Sequence, residues 1–351
     1  MAHAASMAFS KILIRATNWV GDAVMSLPAI RALHARFPEA EIAVLARPWV
    51  ADLYARETAV HRVIPYDVKP GFRGWGRKLR AANALRAEKF ECAVLLQNAF
   101  EAAAIAWMAG IPRRIGYNRD GRGVLLTDAI PVPQPGEIPR HERFYYLEML
   151  RRAGLIAEAV ESNEVRLEGA EAAASNGARR FAQRDIAPPV IGLSPGAAYG
   201  TAKRWLPERF AEAALDVARA QRGSVVLFGS ANERELCETV AQGIRAGGMP
   251  ACNLAGHTTL SEFIELAAAC CVFLTNDSGA MHIASALGVP TVAVFGATDD
   301  STTGPTGRLA RVVREPVECS PCLLRECPID HRCMTRVAAS RVADVALDLL
   351  R

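Results

Sequence analysis

The chain has 351 residues, of which 51% are hydrophobic and 22% charged, and its formal net charge is +4 at pH 7. This length exceeds what one hydrophobic core usually sustains, so we expect two domains, and the composition excludes a disordered chain. The mild positive charge, without an aromatic-basic motif or a basic DNA-reading helix, argues against a nucleic-acid partner. No apolar run approaches the roughly 20 residues of a membrane-spanning helix, and residues 1–10 lack the features of a secretion signal, so a cytoplasmic protein is expected.

Apolar runs that alternate with helical segments predict an α/β fold. The runs have the composition of buried parallel strands, and the pattern restarts in the second half of the chain. The predicted strands are residues 11–17, 41–47, 62–67, 91–97 and 113–118, then 190–196, 224–230, 251–256, 271–277 and 291–297. We therefore expect two Rossmann-like, doubly wound domains that face each other across a cleft, with the chemistry in the loops after the strands.

A proline-rich loop and an amphipathic helix separate the two patterns, and the sequence DIAPP at 185–189 leads into the second sheet. We place an N-terminal domain at residues 1–175 and a C-terminal domain at residues 176–335. The last helix, within residues 336–351, either caps the second domain or crosses back to the first.

An acid, Asp22, follows the first predicted strand, where many nucleotide-binding folds keep a glycine-rich phosphate loop. The turn TNWVGD at residues 17–22 has a single glycine. A carboxylate there repels phosphate, although an Asp beside Gly at a helix start is also a common cap. Pro28 either kinks a helix that starts at Asp22 or lies in the first turn of a later helix.

The stretch LTNDSGAMHIASALGVP at residues 274–290 reads as strand, cap, helix and strand. Asp277 and Ser278 are good caps for a helix predicted over 280–287, whose free N–H groups form a ready anion site. Gly279 lets a ligand approach the backbone, and His282 lies on the same helix face as Ser278. A pyrophosphate fits this site. The alternative is that the caps are only caps and that His282 packs in the core.

Two further loops favour a nucleotide in the second domain. Lys203, in the run AKRW after a strand, is a point charge that suits a phosphate. Gly229, Ser230 and Glu233 follow the neighbouring strand, where an acid suits ribose hydroxyl groups. The signature motifs of dehydrogenases, P-loop proteins, serine hydrolases and zincins are absent from the sequence.

Nine cysteines in a long chain without an export signal indicate reduced thiols rather than a disulfide framework. Four of them have the spacing C-x₂-C-x₄-C-x₅-C with His331 nearby, namely Cys319, Cys322, Cys327 and Cys333. The density resembles a zinc site, but zinc modules usually have two separated C-x₂-C pairs. A structural cluster of thiols, a bound metal and redox chemistry stay open, and no metal is assigned to the functional site.

Six stretches together resemble the bacterial lipopolysaccharide heptosyltransferases of glycosyltransferase family 9 over nearly the whole chain. They are TNWVGDAVMSLPAIRAL, LLQNAFEAAAIAWMAGIPRRIGYNRDGRG, LSPGAAYGTAKRWLPERF, LAGHTTLSEFIELAAAC, TNDSGAMHIASALGVPTVAVFG and CSPCLLRECPIDHRCM. The resemblance implies a GT-B fold and transfer of L-glycero-D-manno-heptose from ADP-heptose to the heptose-Kdo-lipid A inner core. It implies a metal-independent chemical step without a cofactor. Transfer onto Kdo directly, or onto another surface glycan, is the alternative within the family.

The resemblance also implies roles for single residues. Asp22 is the general base, Lys203 stabilises the leaving diphosphate, and the anomeric carbon inverts. Thr258 and Thr259 lie at the adenine and Glu233 near the ribose. The diphosphate is surrounded by Asp277, Ser278, Gly279 and His282.

The acceptor side is predicted from charge. Because the guanidinium fork matches phosphates and carboxylates, four arginines of RRIGYNRDGRG are expected to face the acceptor, with solvated surface charge as the alternative. They are Arg113, Arg114, Arg119 and Arg122. Since the acceptor is anchored in a bilayer, peripheral contact with the cytoplasmic face of the inner membrane is expected, and GFRGWGRKLR at 71–80 is its candidate segment. From another functional class, the cysteines suggest a nucleotide- or metal-binding regulatory module.

Overall fold

A computed structural model describes residues 8–68, 74–157 and 164–351 of the chain. The chain divides into two units, Met1–Ser162 and Asn163–Arg351. Each unit is built around its own six-stranded parallel sheet, and helices connect the strands. The predicted α/β class with two doubly wound domains is confirmed.

The first unit has the strand order β3-β2-β1-β4-β5-β6. Its strands are β1 (Lys11–Arg15), β2 (Glu41–Ala46), β3 (Arg62–Pro65), β4 (Cys92–Leu95), β5 (Arg113–Tyr117) and β6 (Asp128–Ile130). Its helices are α1 (Val20–Arg36), α2 (Pro48–Tyr54), α3 (Trp75–Ala87), α4 (Phe100–Met108) and α5 (Glu142–Arg152). All five predicted strands of this half are present. The sequence pattern does not predict β6, because β6 has three residues and buries only Ile130.

The second unit has the strand order β12-β11-β10-β7-β8-β9. Its strands are β7 (Val190–Ser194), β8 (Ser224–Leu227), β9 (Ala251–Asn253), β10 (Val272–Asn276), β11 (Thr291–Phe295) and β12 (Ala310–Arg314). Its helices are α6 (Ala170–Ala182), α7 (Pro207–Gln221), α8 (Arg234–Ala246), α9 (Leu260–Ala268), α10 (Gly279–Ala286), α11 (Asp300–Thr303), α12 (Arg332–Thr335) and α13 (Ala339–Asp348). The edge strand β12 also goes unpredicted, since arginines begin and end its short apolar run.

The strand order reverses at one point in each sheet. β1 pairs with β2 on one side and with β4 on the other, and β7 pairs with β8 and with β10. At such a reversal the connections leave the sheet in opposite directions, which opens a crevice outside the carboxyl ends of the strands. The loops after β1 and β4, and those after β7 and β10, are therefore where each unit favours a ligand.

Both helices near the predicted domain limits pack within the second unit. α6 lies on α9 so closely that a Cβ atom at Gly177 would be 2.0 Å from the carbonyl oxygen of Glu265. α13 packs on α7, and its buried Val342 belongs to the core that lines the second sheet. The structural division therefore falls before α6, earlier than the expected limit at 175/176. The C-terminal helix caps the second unit.

Among the helices in the described ranges, none combines the length and the apolar run that crossing a bilayer requires.

Val342→Ala tests whether α13 is an integral part of the second core. The substitution removes two buried methyl groups, so we expect the free energy of unfolding to fall by about 2 kcal/mol. Urea denaturation measures the loss, followed by tryptophan fluorescence, to which the buried Trp205 of the same core contributes. Asp344→Ala, at an exposed position of the same helix, is the control. Equal midpoints for the two variants would contradict this packing.

Candidate active site

Asp22 lies in the first turn of α1, directly after the central strand β1. β1 ends at Arg15 and α1 begins at Val20, so Asp22 is the third residue of the helix, and it is half-buried. The unpaired N–H groups and the positive end of the helix dipole favour a carboxylate at this position. Because the helix begins before Asp22, Pro28 lies in the helix interior.

Two side chains hold the turn between β1 and α1. The buried guanidinium of Arg15 donates a hydrogen bond to Asn18 Oδ1 at 3.3 Å, and Trp49 Nε1 donates to the carbonyl oxygen of Asn18 at 2.8 Å. Burial, and then the neighbouring charge of Arg47, lowers the pKa of Arg15 to about 10. The turn that presents Asp22 is therefore fixed by a cation and an aromatic ring.

A second carboxyl group acts on Asp22 and was not predicted from the sequence. Glu142 is the first residue of α5, which packs against α1. Burial raises the pKa of Glu142, the negative charge of Asp22 raises it further, and the positive charge of Arg119 lowers it. Burial and the charge of Asp22 also raise the pKa of Tyr146. Asp22 thus shares its surroundings with a carboxyl group, an arginine and a buried phenol.

All four arginines that were predicted to face the acceptor have partners inside the first unit. Arg122 is fully buried and donates to a backbone carbonyl oxygen and to an amide oxygen, both at 2.9 Å. Arg113 pairs with an aspartate of β6 at 2.9 Å, and Arg114 donates to backbone carbonyl oxygens at 2.5 and 2.7 Å. Arg119 is half-exposed, pairs with Asp120 at 3.6 Å and hydrogen-bonds to Tyr145, and its charge also acts on Glu142. Of the four, Arg119 is the arginine that the structure connects with the surroundings of Asp22.

Lys203 and Asp277 form an ion pair at the carboxyl edge of the second sheet. Lys203 ends a short 3₁₀ turn after β7 and Asp277 follows β10, so the pair bridges the reversal of the strand order. Lys203 Nζ lies 2.6 Å from Asp277 Oδ2, and Asp277 is only 5% exposed. Thr298 Oγ1 donates to the same carboxylate oxygen at 2.6 Å. In this geometry, the Asp277 carboxylate orients the ammonium group of Lys203.

The buried side chain of Asn276 fixes the loop that carries Lys203. Its Oδ1 accepts from the backbone N–H of Trp205 at 2.9 Å, and its Nδ2 donates to the carbonyl oxygen of Pro195 at 2.7 Å. Both ends of the loop after β7 are therefore bonded to the end of β10.

The start of α10 is where the sequence predicts an anion site. α10 begins at Gly279, one residue before the predicted helix. Ser278 Oγ pairs with Thr275 Oγ1 at 3.1 Å, and His282, one turn further, is buried. The first-turn N–H groups of α10 therefore follow directly on Asp277 at the same edge of the sheet.

The carboxylate of Glu233 lies between the loops that follow β7 and β8. Its Oε2 accepts from the backbone N–H and the hydroxyl group of Ser230, both at 2.8 Å. A Cβ atom at Gly196 would lie 2.0 Å from Glu233 Oε1, and one at Gly229 would lie 3.2 Å from Glu233 Cβ. Glycine at both positions lets this carboxylate rest against the backbone.

The two threonines predicted at the adenine lie after β9. Thr259 is the N-cap of α9, where its Oγ1 accepts from the backbone N–H of Glu262 at 3.2 Å and its own N–H donates to the Glu262 carboxylate at 2.9 Å. Thr258 precedes the cap and is half-buried. Both therefore lie at the same carboxyl edge as Glu233.

The four cysteines near the C-terminus lie close enough to interact. Burial and the thiols of Cys319, Cys322 and Cys327 raise the pKa of Cys333 to about 11. All nine cysteines carry free thiols. Within the described ranges, no group of three or more His, Cys, Asp or Glu side chains is arranged to hold a metal ion.

Residues 78–332 match glycosyltransferase family 9 (heptosyltransferase). The chain belongs to glycosyltransferase family 9. Lipopolysaccharide heptosyltransferase 2 of Escherichia coli K12 is 34% identical to this chain over 312 residues. The match covers 87% of this chain and 88% of the E. coli protein. The resemblance predicted from the sequence is confirmed, and the protein is a glycosyltransferase.

Solved structures agree with this family assignment. The structure of E. coli ADP-heptose lps heptosyltransferase II is 31% identical, covers 97% of this chain and 98% of its own, and has a TM-score of 0.81. E. coli heptosyltransferase WaaC with ADP is 17% identical, covers 97% of this chain and 99% of its own, and shares the fold with a TM-score of 0.73. The predicted GT-B fold class is therefore confirmed.

Glu142→Gln tests the electrostatics around Asp22. Since the pKa of Glu142 is raised in the folded protein, the stability that its neutral form contributes is present at low pH and is lost as the pH rises through the folded pKa. A permanently neutral glutamine side chain at this position escapes this loss. We expect the variant to melt at a higher temperature than the wild type at pH 7, by an amount that shrinks toward pH 4.

Thermal unfolding across this pH range measures the difference. Glu171→Gln, at an exposed site in the first turn of α6, is the matched control and should show no such pH-dependent gain. A Glu142→Gln variant that follows the wild type at every pH would contradict the assigned burial and repulsion.

Proposed function

We propose that this family 9 enzyme transfers heptose from ADP-heptose to the heptose-bearing Kdo–lipid A inner core, in one displacement that inverts the anomeric carbon. The names of its relatives, lipopolysaccharide heptosyltransferase 2 and ADP-heptose lps heptosyltransferase II, support this substrate pair. The observation that carries the proposal is the contrast between the two sheet edges. A carboxylate stands at the reversal point of the first sheet and a lysine at that of the second.

In this proposal, Asp22 is the general base. It accepts the proton of the acceptor hydroxyl group while the hydroxyl oxygen forms a bond to the anomeric carbon of the heptose. A positioned base contributes about 10²- to 10⁴-fold to the rate of such a step. This assignment explains why the first unit lacks a phosphate-binding loop. The acceptor hydroxyl group is uncharged, and the nucleotide does not bind beside Asp22 in this proposal.

Lys203 stabilises the other end of the reaction, where the bond between the anomeric carbon and the diphosphate breaks and ADP leaves. An ammonium group has three N–H donors, and Asp277 takes one of them. The others can reach phosphate oxygens, together with the backbone N–H groups of Ser278 and Gly279. Structures of E. coli WaaC with ADP and with ADP-2-deoxy-2-fluoro heptose support a donor of this kind. We propose that the step needs no cofactor.

We assign the remaining donor contacts to residues at the carboxyl edge of the second sheet. We assign the ribose hydroxyl groups to Glu233, whose Oε1 is not engaged by Ser230. Thr258 and Thr259, after the neighbouring strand, lie at the adenine in this proposal. His282 is buried near the start of α10 and supports the diphosphate side from within the helix.

For the acceptor, Arg119 is the arginine that we assign to the carboxylates or phosphates of the inner core, because its charge already acts beside Asp22. The bonded Arg113, Arg114 and Arg122 shape the loop that presents it.

Peripheral contact with the inner membrane, at its cytoplasmic face, remains a proposal. Of the candidate segment 71–80, residues 71–73 lie outside the described residues. Trp75, Arg77 and Arg80 are exposed, whereas Lys78 is buried in an ion pair with Glu101 and cannot meet a headgroup. A regulatory module without catalysis is no longer needed to explain the chain, since the family is one of glycosyltransferases.

The test is product formation by mass spectrometry, with purified protein, ADP-heptose and two lipid A acceptors, one with Kdo alone and one with Kdo plus one heptose. We expect a mass gain of one heptose on the heptose-bearing acceptor and little on the other. Transfer to the Kdo acceptor instead would favour the alternative acceptor within the family. No transfer to either acceptor, in a protein that binds ADP, would contradict the heptosyl assignment.

A further inference from the structure

The cysteine-rich segment, residues 319–333, packs against the loop that carries Lys203. Tyr199 Oη donates to the carbonyl oxygen of Leu323 at 3.0 Å, and the backbone N–H of Ala202 donates to the carbonyl oxygen of Arg325 at 3.0 Å. His331 Nε2 lies 3.0 Å from the carbonyl oxygen of Ala202. The two segments are far apart in sequence and meet along their backbones.

Two glycines permit this close packing. A Cβ atom at Gly200 would lie 2.2 Å from the carbonyl oxygen of Arg325, and one at Gly296, after β11, would lie 2.8 Å from Cys333 Sγ. Ser320 Oγ also donates to the carbonyl oxygen of Gly296 at 2.5 Å. The cysteine-rich segment is therefore anchored to the carboxyl edge of the second sheet, on the side of Lys203.

This packing brings a second cation to the lysine. The guanidinium carbon of Arg325 and the Nζ atom of Lys203 each lie 4.9 Å from the centroid of the Tyr199 ring. The separation of the two cations is therefore at most twice that distance. Each cation is attracted to the face of the ring. The Tyr199 ring thus keeps the like charges of Lys203 and Arg325 near each other.

The local charge shows what the second cation adds. Lys203 is neutralised by the buried Asp277, so the pair has no net charge toward a ligand. Among the described residues, no carboxylate forms an ion pair with Arg325, whose side chain is exposed. Of the two cations at Tyr199, Arg325 is therefore the one whose charge is not offset by an ion pair within the described ranges, and the cysteine-rich segment carries it.

We propose that Arg325 binds the diphosphate of the donor, as a second cation beside Lys203. It stabilises the diphosphate while the bond to the anomeric carbon breaks. This inference rests on the proposed function, since it concerns the same donor site. An arginine fork can bond two phosphate oxygens at once, which a lysine cannot do. The cysteine-rich segment then has a functional part, because it carries this arginine to the edge of the sheet.

Arg325→Met tests the assignment, because methionine keeps the length and apolar character of the side chain and removes its charge. Titration calorimetry with ADP and ligand-observed NMR with adenosine report the diphosphate and nucleoside contributions separately. We expect ADP to bind about 10- to 100-fold more weakly to the variant, which is the effect of losing charged hydrogen bonds. Adenosine binding should not change, and Arg325→Lys should fall between the two.

Arg332→Met is the matched control, because Arg332 belongs to the same segment but pairs with Asp330 and Glu318. It should bind ADP as the wild type does. Unchanged ADP binding by Arg325→Met would overturn the inference alone. Equal loss of ADP and adenosine binding, with a lower melting temperature, would also overturn it and assign Arg325 to loop structure. A wild type that does not bind ADP would overturn the proposed donor site as well.

Discussion

The reversal of strand order in each parallel sheet is the constraint from which the rest of the structure follows. Because β1 lies between β2 and β4, the turn after β1 opens at the carboxyl edge of its sheet, and Asp22 lies in the first turn of the helix that follows. Because β7 lies between β8 and β10, the loops after β7 and β10 meet, and the ion pair of Lys203 and Asp277 joins them. The same architecture therefore produces two sites, and the residues placed there decide their chemistry.

The two sites differ in charge in a way that suits group transfer. In the first unit, Asp22 and Glu142 repel each other, and burial makes the repulsion stronger than it would be in water. This burial and repulsion raise the pKa of Glu142. In the second unit, Lys203 and Arg325 lie on one aromatic ring and a single buried carboxylate orients the lysine. Such surroundings favour a diphosphate. A hydroxyl group that loses a proton and a nucleotide that leaves with added charge need these opposite environments.

The sequence predicts those features that depend on local pattern. Eight of the ten predicted strands are mostly buried, whereas the predicted edge strands β3 and β9 contain no fully buried residue. The edge strands β6 and β12 escape prediction because charged residues leave them only short apolar runs. The positions of Asp22, Lys203 and Glu233 at the carboxyl edges are predictable, since each follows a strand in a parallel sheet. Glu142 and Arg325 are not, because their parts depend on long-range packing of α5 on α1 and of the cysteine-rich segment on the loop of Tyr199. The complete burial of Arg122 is likewise a tertiary effect, since arginine is usually exposed.

The most direct test of this division of chemistry is to measure ADP affinity and turnover in two variants, Asp22→Asn and Lys203→Met, by calorimetry and by single-turnover transfer. We expect Asp22→Asn to bind ADP as the wild type does while its turnover falls by about 10²- to 10⁴-fold. We expect Lys203→Met to bind ADP at least about tenfold more weakly. Weaker ADP binding by Asp22→Asn, or unchanged ADP binding by Lys203→Met, would contradict the assignment of the base to the first unit and of the donor site to the second.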